Sequence, residues 1–389
     1  MTVERAQDTA IERALGMAAA AAEVRVLERV GRYVEQETPS GSADAVNALS
    51  LVIESELAAA GAHVESFDVP GFGRNLRARF AGREQGVDPV VVLGHIDTVH
   101  PIGTLETQPF ARLDGRVSGP GIYDMKTGVA LFVEALGLLH ARGTGPRRPV
   151  TFLVTCDEEV GSHSARPLIA DSARNAFAAL VPEPSMPDGS VKTARKGVAT
   201  YRFEITGRAA HAGIEPERAI SAVTELSHQL PRILALADHA RGTTVSVGLL
   251  HAGTASNTIA ARAWGSIDVR SVAPEEAERV DRGLMALRPD LAGASLSIRC
   301  TESRPPLVRT EQVVRLYEHA RDLAAVLGVT LGEGATGGGS DGSLIATYGV
   351  PTLDGLGPRG GGAHSTEEHV IAEDLPFRLA LVTRLLETL

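Results

Sequence analysis

Gly94-His95-Ile96-Asp97-Thr98-Val99-His100 follows directly on Pro89-Val90-Val91-Val92-Leu93. A short run rich in valine, with no alternating polar positions, predicts a strand buried on both faces. Side chains alternate along a strand, so His95 and Asp97 emerge on one face where it ends. An imidazole and a carboxylate so placed suit a metal ligand and the group that orients it.

Outward from this run, strands alternate with helices. Residues 126–142 read as an apolar-faced helix, 150–156 as a second buried strand and 178–181 as another. That order predicts an α/β fold with a mainly parallel sheet flanked by helices. Near residue 194 the rhythm changes. Residues 197–206 alternate as a half-buried strand through Val198, Tyr201, Phe203 and Ile205. A helix over 217–236, interrupted by Pro231, then strands over 243–250 and 258–269, a helix over 274–288 and a strand over 294–300 complete the order βαββαβ. This order predicts a ferredoxin-like α+β unit. After Arg304-Pro305-Pro306 the α/β alternation resumes with a helix over 313–327, a Gly-rich stretch at 332–342, a strand over 352–356 and a helix over 374–389. The expected organisation is one domain built from 1–194 and 303–389, with residues 195–302 inserted as a second.

Composition agrees with two globular domains. The chain has 389 residues, 43% apolar and 22% charged, long enough for a sizeable core. A net charge of −10 argues against nucleic acid or an anionic membrane as partner. No run approaches the ~20 apolar residues of a membrane span. The start of the chain, with Glu4, Arg5, Asp8, Glu12 and Arg13 before Met17-Ala18-Ala19-Ala20-Ala21-Ala22, is too acidic for a signal peptide. It reads as a helix continuing through Leu27 and Val30, and a cytoplasmic location is expected. The two cysteines, Cys156 and Cys300, sit in strand-like runs and are expected to be buried free thiols.

Five clusters at strand ends contain the candidate chemistry. They are Gly94-His95-Ile96-Asp97, Gly121-Ile122-Tyr123-Asp124-Met125-Lys126-Thr127-Gly128, Asp157-Glu158-Glu159-Val160-Gly161-Ser162, Val181-Pro182-Glu183-Pro184-Ser185 and Gly362-Ala363-His364-Ser365. An open α/β sheet places its ligand crevice at such ends. Each cluster alone has a plain structural reading: a helix-start carboxylate for Asp124, a solvated loop for Glu158-Glu159. Their joint occurrence at strand ends is what makes the case.

With these motifs in order, the sequence resembles the aminoacylase/carboxypeptidase family of dizinc metallopeptidases, most closely its glutamate carboxypeptidase (carboxypeptidase G) branch. The likeness runs from about residue 25 to the C-terminus. It implies a zinc-exopeptidase-type catalytic domain and makes the insert a lid and dimerisation domain. It further implies that His95 and Glu183 hold one ion, Glu159 and His364 the other, and that Asp124 bridges both. Asp97 would hydrogen-bond His95, and Glu158 would be general base and acid. In the insert, His211 would stabilise the oxyanion and Asn257 contact substrate, reaching the site from a neighbouring subunit in dimeric members. Arg270 and Arg304 would grip a substrate carboxylate, and the backbone at Gly361 would approach it.

Imidazole and carboxylate ligands suit Zn²⁺, with Co²⁺ or Mn²⁺ as substitutes. Two dications are balanced by Asp124, Glu159, Glu183 and one bridging hydroxide. Metal lowers the pKa of that water from 15.7 toward ~7, so that Glu158 can take its proton and pass it to the departing amine. The expected reaction is hydrolysis of an amide beside a free carboxylate. The expected substrate is a small peptide releasing a C-terminal amino acid, glutamate first, or alternatively an N-acyl amino acid. A homodimer through the insert is expected. A non-catalytic scaffold would have eroded ligands, yet all are present. A hydride-transfer enzyme would need Gly-x-Gly-x-x-Gly after the first strand, and Gly337-Gly338-Gly339-Ser340-Asp341-Gly342 lacks the ending of a P-loop. His100 and His251 lie near the proposed site without an assigned role.

Overall fold

The computed structural model describes residues 21 and 23–389. The N-terminal helix expected from the sequence falls partly outside them. Within them, residues 23–34 are helical, and Val26, Val30, Tyr33 and Val34 are buried at helical spacing.

The chain forms two compact units. The first runs to Thr193 and takes in Arg309–Ala335 and Ser340–Leu389; the second is Ala194–Val308 with Thr336–Gly339. The short segment Thr336–Gly339 joins the second unit through its backbone. Lys196 N–H donates to Thr336 O at 2.9 Å, and Arg195 Nη1 donates to Gly338 O and Gly339 O at 3.2 and 3.0 Å.

The first unit is built on a six-stranded sheet in the order His63–Val69, Gly73–Phe80, Val150–Thr155, Val90–His95, Ala178–Leu180, Thr352–Leu353. The last four strands are mutually parallel; the first two form an antiparallel hairpin added at one edge. Parallel pairing runs from Val90 opposite Val150 to His95 opposite Thr155. Two strand ends therefore finish level, and the Asp157–Glu159 turn emerges beside His95-Ile96-Asp97. Val92 lies opposite Leu180, which brings Glu183 out at the same end. One face packs against the helices Ala43–Ala59, Thr127–Ala141 and Leu375–Thr388. Thr127 to Leu136 are all buried, as expected of a helix sandwiched inside a core. The other face packs against Arg166–Ala173 and Asp341–Ala346. A small antiparallel sheet, Gly360–Gly361, His369–Ile371, Arg116–Ser118 and Ala111–Leu113, holds two further loops of the unit.

In the second unit four antiparallel strands lie in the order Thr244–Ala252, Arg262–Ser271, Gly197–Thr206, Ser295–Arg304. Helices Ala222–Leu234 and Pro274–Ala286 contribute to a core of Tyr201, Phe203, Ile205, Leu226, Ile233, Ile267, Val280 and Leu284.

Three local expectations are corrected. Pro231 lies inside Ala222–Leu234 instead of interrupting it; near a helix C-terminus it removes a single N–H bond. The strand expected over 258–269 is two, Thr258–Ile259 and Arg262–Ser271. Ala260 O and Ala261 O accept Ala222 N–H and Gly207 N–H, so the backbone turns away between them. Cys300 is exposed, and only Cys156 is buried. Cys300 stands on an edge strand whose register shifts between it and Glu302, and a bulge re-aims side chains.

Candidate metal centre

His95 ends the strand Val90–His95 and is buried. Its Nε2 lies 3.2 Å from Asp124 Oδ1 and 3.8 Å from Glu183 Oε1. His364 Nε2 lies 3.5 Å from Asp124 Oδ2 and 3.3 Å from Glu159 Oε2. The two oxygens of one carboxylate thus face two different imidazoles, each of which has a second carboxylate beside it. Asp97 is wholly buried; its backbone carbonyl is 3.0 Å from His95 Nδ1 and its Oδ1 3.5 Å. Glu158 is buried on the same turn as Glu159.

The local backbone explains the placement. Asp124 sits in Ile122–Lys126, which departs from helical geometry at Asp124 (φ −116°, ψ 96°) and Met125 (φ −134°, ψ 32°). That break turns Asp124 out of the helix that follows. His364 has φ +62° and follows Gly362 at φ +73°. At Gly362 a Cβ would lie 2.5 Å from Glu367 O, so only glycine closes this loop.

Electrostatics follow from the same contacts. Burial alone would lower the His95 pKa, but Asp124, Asp97 and Glu158 outweigh it and hold it well above 6.5. Asp124 and Glu159 raise His364 to about 10. Burial would raise Asp124, yet His364 and His95 hold its carboxyl well below the usual range. Burial pulls Lys126 down to about 7 against the charges of Glu368 and Glu37, and its Nζ donates to Gln36 O at 2.7 Å.

The donor set fits a divalent ion. One ligand atom each from His95, Asp124 and Glu159 lie within 4.8 Å of one another. Glu159 Oε1 is buried without a hydrogen-bond partner among the described residues, and such an orphan calls for a ligand. Nitrogen and carboxylate oxygen are the ligands that zinc takes in hydrolytic sites.

Residues of the second unit form their own groups. His211 pairs with Thr258 across a two-stranded ribbon, and Ala212 N–H donates to Asn257 O at 3.0 Å. His211 and Asn257 are thereby neighbours, both exposed. Arg270 bonds Asp268 and donates to Gly337 O at 3.0 Å; Arg304 is buried, opposite Val198. The carbonyls of Gly337 to Gly339 thus accept from guanidinium groups, the reverse of a phosphate-cradling loop. In the first unit, Gly361 lies in a strand opposite His369.

The pattern of peptidase family M20/M25/M40 matches residues 91–388. The chain belongs to that family. It is 32% identical over 368 residues to carboxypeptidase G2 of Pseudomonas sp. (strain RS-16), covering 93% of this chain and 88% of that one. It is 29% identical over 323 residues to succinyl-diaminopimelate desuccinylase of Verminephrobacter eiseniae (strain EF01-2), 78% and 79% being covered. Two solved structures superpose on it. Aminopeptidase PepT from Bacillus cereus ATCC 10987 does so with a TM-score of 0.76 at 22% identity, over 94% of this chain and 98% of that one. The M20 metallo-carboxypeptidase Sso-CP2 from Sulfolobus solfataricus gives 0.72 at 14%, over 93% and 98%. This M20 member is therefore a metal-dependent hydrolase of the peptidase and amidohydrolase type, with the α/β fold expected from its sequence. No helix among the described residues is long and apolar enough to cross a membrane.

Three side chains at this centre had no assigned role in the sequence. His100 Nε2 lies 2.6 Å from Glu368 Oε2, both buried, and Ser40 Oγ donates to Asp97 Oδ2 at 2.6 Å. Glu368 stands in Thr366-Glu367-Glu368-His369, which reads as a solvated loop. No local signal marks it.

Proposed function

We propose that this chain hydrolyses an amide bond beside a free carboxylate and releases a C-terminal amino acid, glutamate first among products. The observation that carries the reading is the position of Asp124, one oxygen toward His95 and the other toward His364. In this reading His95 and Glu183 hold one Zn²⁺, Glu159 and His364 a second, and Asp124 both. Co²⁺ or Mn²⁺ could stand in. When bound, the ions would polarise the scissile carbonyl and acidify a water.

The remaining steps fall to side chains. Glu158 takes the proton of the attacking water and gives it to the leaving amine, acting first as general base and then as general acid. Asp97 keeps His95 and the Glu158–Glu159 turn in place. His211 donates to the developing oxyanion, Asn257 contacts the substrate, and Arg270 and Arg304 bind its carboxylate. The backbone at Gly361 borders it. We propose a homodimer through the second unit. The strand Thr244–Ala252 lies at the edge of its sheet and exposes Leu249 (57%) and Leu250 (46%), a pattern that invites pairing with a second copy.

Likeness to carboxypeptidase G2 favours the peptide reading, and likeness to the desuccinylase favours its alternative, an N-acyl amino acid as substrate. A panel of folyl-, peptidyl- and N-acyl-amino acids, assayed with zinc and after chelation, separates them. Fastest chelator-sensitive turnover on a glutamyl amide supports the first. Preference for acyl chains moves the alternative ahead, and no hydrolysis of either class removes both.

A further inference from the structure

We propose that Glu368 is a positioning residue, a buried carboxylate that clamps the backbone carrying Asp124 to the loop carrying His364. The inference rests on the reading of Asp124 as the residue shared between two ions.

Glu368 is fully buried, and a buried carboxylate persists only where donors surround it. Four do. Its Oε1 accepts Tyr123 N–H at 2.8 Å and Asp124 N–H at 2.9 Å; its Oε2 accepts Gly121 N–H at 3.0 Å and faces His100 Nε2 at 2.6 Å. Because Asp124 and Met125 are not helical, the segment cannot rely on a regular helix ladder for its amides. A side chain from a distant part of the sequence supplies the acceptors instead.

That side chain belongs to the His364 loop. Gly362 O accepts Ser365 N–H at 3.0 Å and the Ser365 hydroxyl at 2.8 Å, and Ser365 O accepts Glu368 N–H at 3.3 Å. The loop is folded on itself between Gly360–Gly361 and His369–Ile371, and His369–Ile371 pairs with Arg116–Ser118, just before Asp124. His364 and Asp124 are therefore tied together twice, once by strand pairing and once by the Glu368 carboxylate. The second tie ends on the Asp124 amide itself. Glu368 touches no reacting atom; it fixes the separation across which Asp124 and His364 would share an ion.

Glu368→Gln keeps size and one acceptor oxygen but turns an NH₂ toward Gly121 N–H or the Oε1 donors. Zinc affinity, read by titration against a competing chelator, should fall roughly 10–100-fold, the range for partners that orient ligands. The kcat should fall with it while KM stays within about threefold, and excess zinc should restore part of the kcat, since substrate contacts are untouched. His100→Ala removes one donor of the four and should weaken zinc binding by a smaller factor, about threefold or more. A folded E368Q protein with wild-type zinc affinity and kcat overturns the proposal. So does an unchanged zinc affinity in H100A if E368Q does not fold. Failure of the wild type itself to bind zinc or to hydrolyse any amide would instead overturn the reading of the centre, which keeps the two failures apart.

Discussion

Asp97 and Glu158 are joined through the backbone: Asp97 Oδ1 accepts the Glu158 N–H at 3.0 Å, and its Oδ2 takes the Glu159 N–H at 3.2 Å. The sequence expectation gave Asp97 one task, to orient His95. Its shorter contact with that imidazole is through its own carbonyl, and its carboxylate is engaged mainly with the turn bearing Glu158 and Glu159. One buried carboxylate therefore sets two strand ends relative to each other.

Asp97→Asn should accordingly damage metal binding more than a remote surface change would. The amide presents NH₂ to an N–H donor, so one of the two turn contacts is lost. Zinc affinity is expected to drop about 10–100-fold, with partial recovery of turnover at high zinc. Wild-type affinity by chelator competition would rule out the positioning role.

Glu158→Gln removes the proposed proton carrier and leaves the ligand set whole. Metal content by elemental analysis should match wild type, while kcat falls by about 10²–10⁴. Full turnover would contradict the assignment of Glu158.

Gly128→Ala is expected to disturb fold and site together. A Cβ at Gly128 would lie 1.8 Å from the backbone oxygen of Pro182, next to Glu183 and on the helix that follows Asp124. Neither backbone can yield cheaply, and overpacking of this kind costs about 1–3 kcal/mol or more. Melting temperature and zinc affinity should both fall. Gly137→Ala, in the same helix with nothing within 4 Å, is the control; it should be neutral or slightly stabilising.

Glu276 should make the second unit sensitive to acid. Arg279 and Arg241, with Thr243, hold its carboxyl at about 2 against an ordinary 4.5. A depressed folded-state pKa adds stability above the unfolded value, lost as pH falls from about 4.5 through about 2. Glu276→Gln should therefore melt lower than wild type at pH 7, and the gap should close on acidification toward pH 2. A gap that does not narrow would show that the ion pairs are not its cause.

The sequence by itself determined the buried strands, their helical connections and the residue types at each strand end, because periods of 2 and 3.6 are written in local order. The clusters that contain His95, Asp124, Glu159 and His364 stood out on that basis, and the family resemblance singled out those four within them. It gave no sign of the added hairpin of His63–Val69 and Gly73–Phe80, of the break between Ile259 and Arg262, or of the exposure of Cys300. Only the tertiary structure decided which carboxylate meets which donor: Asp124 between two histidines, Asp97 beneath the Glu158 turn, Glu368 under the Asp124 amides. A buried charge must be compensated wherever the fold happens to bring a partner. Asp97 meets the Glu158 amide 61 residues on and Glu368 the Asp124 amide 244 residues back, so no local pattern records either partner.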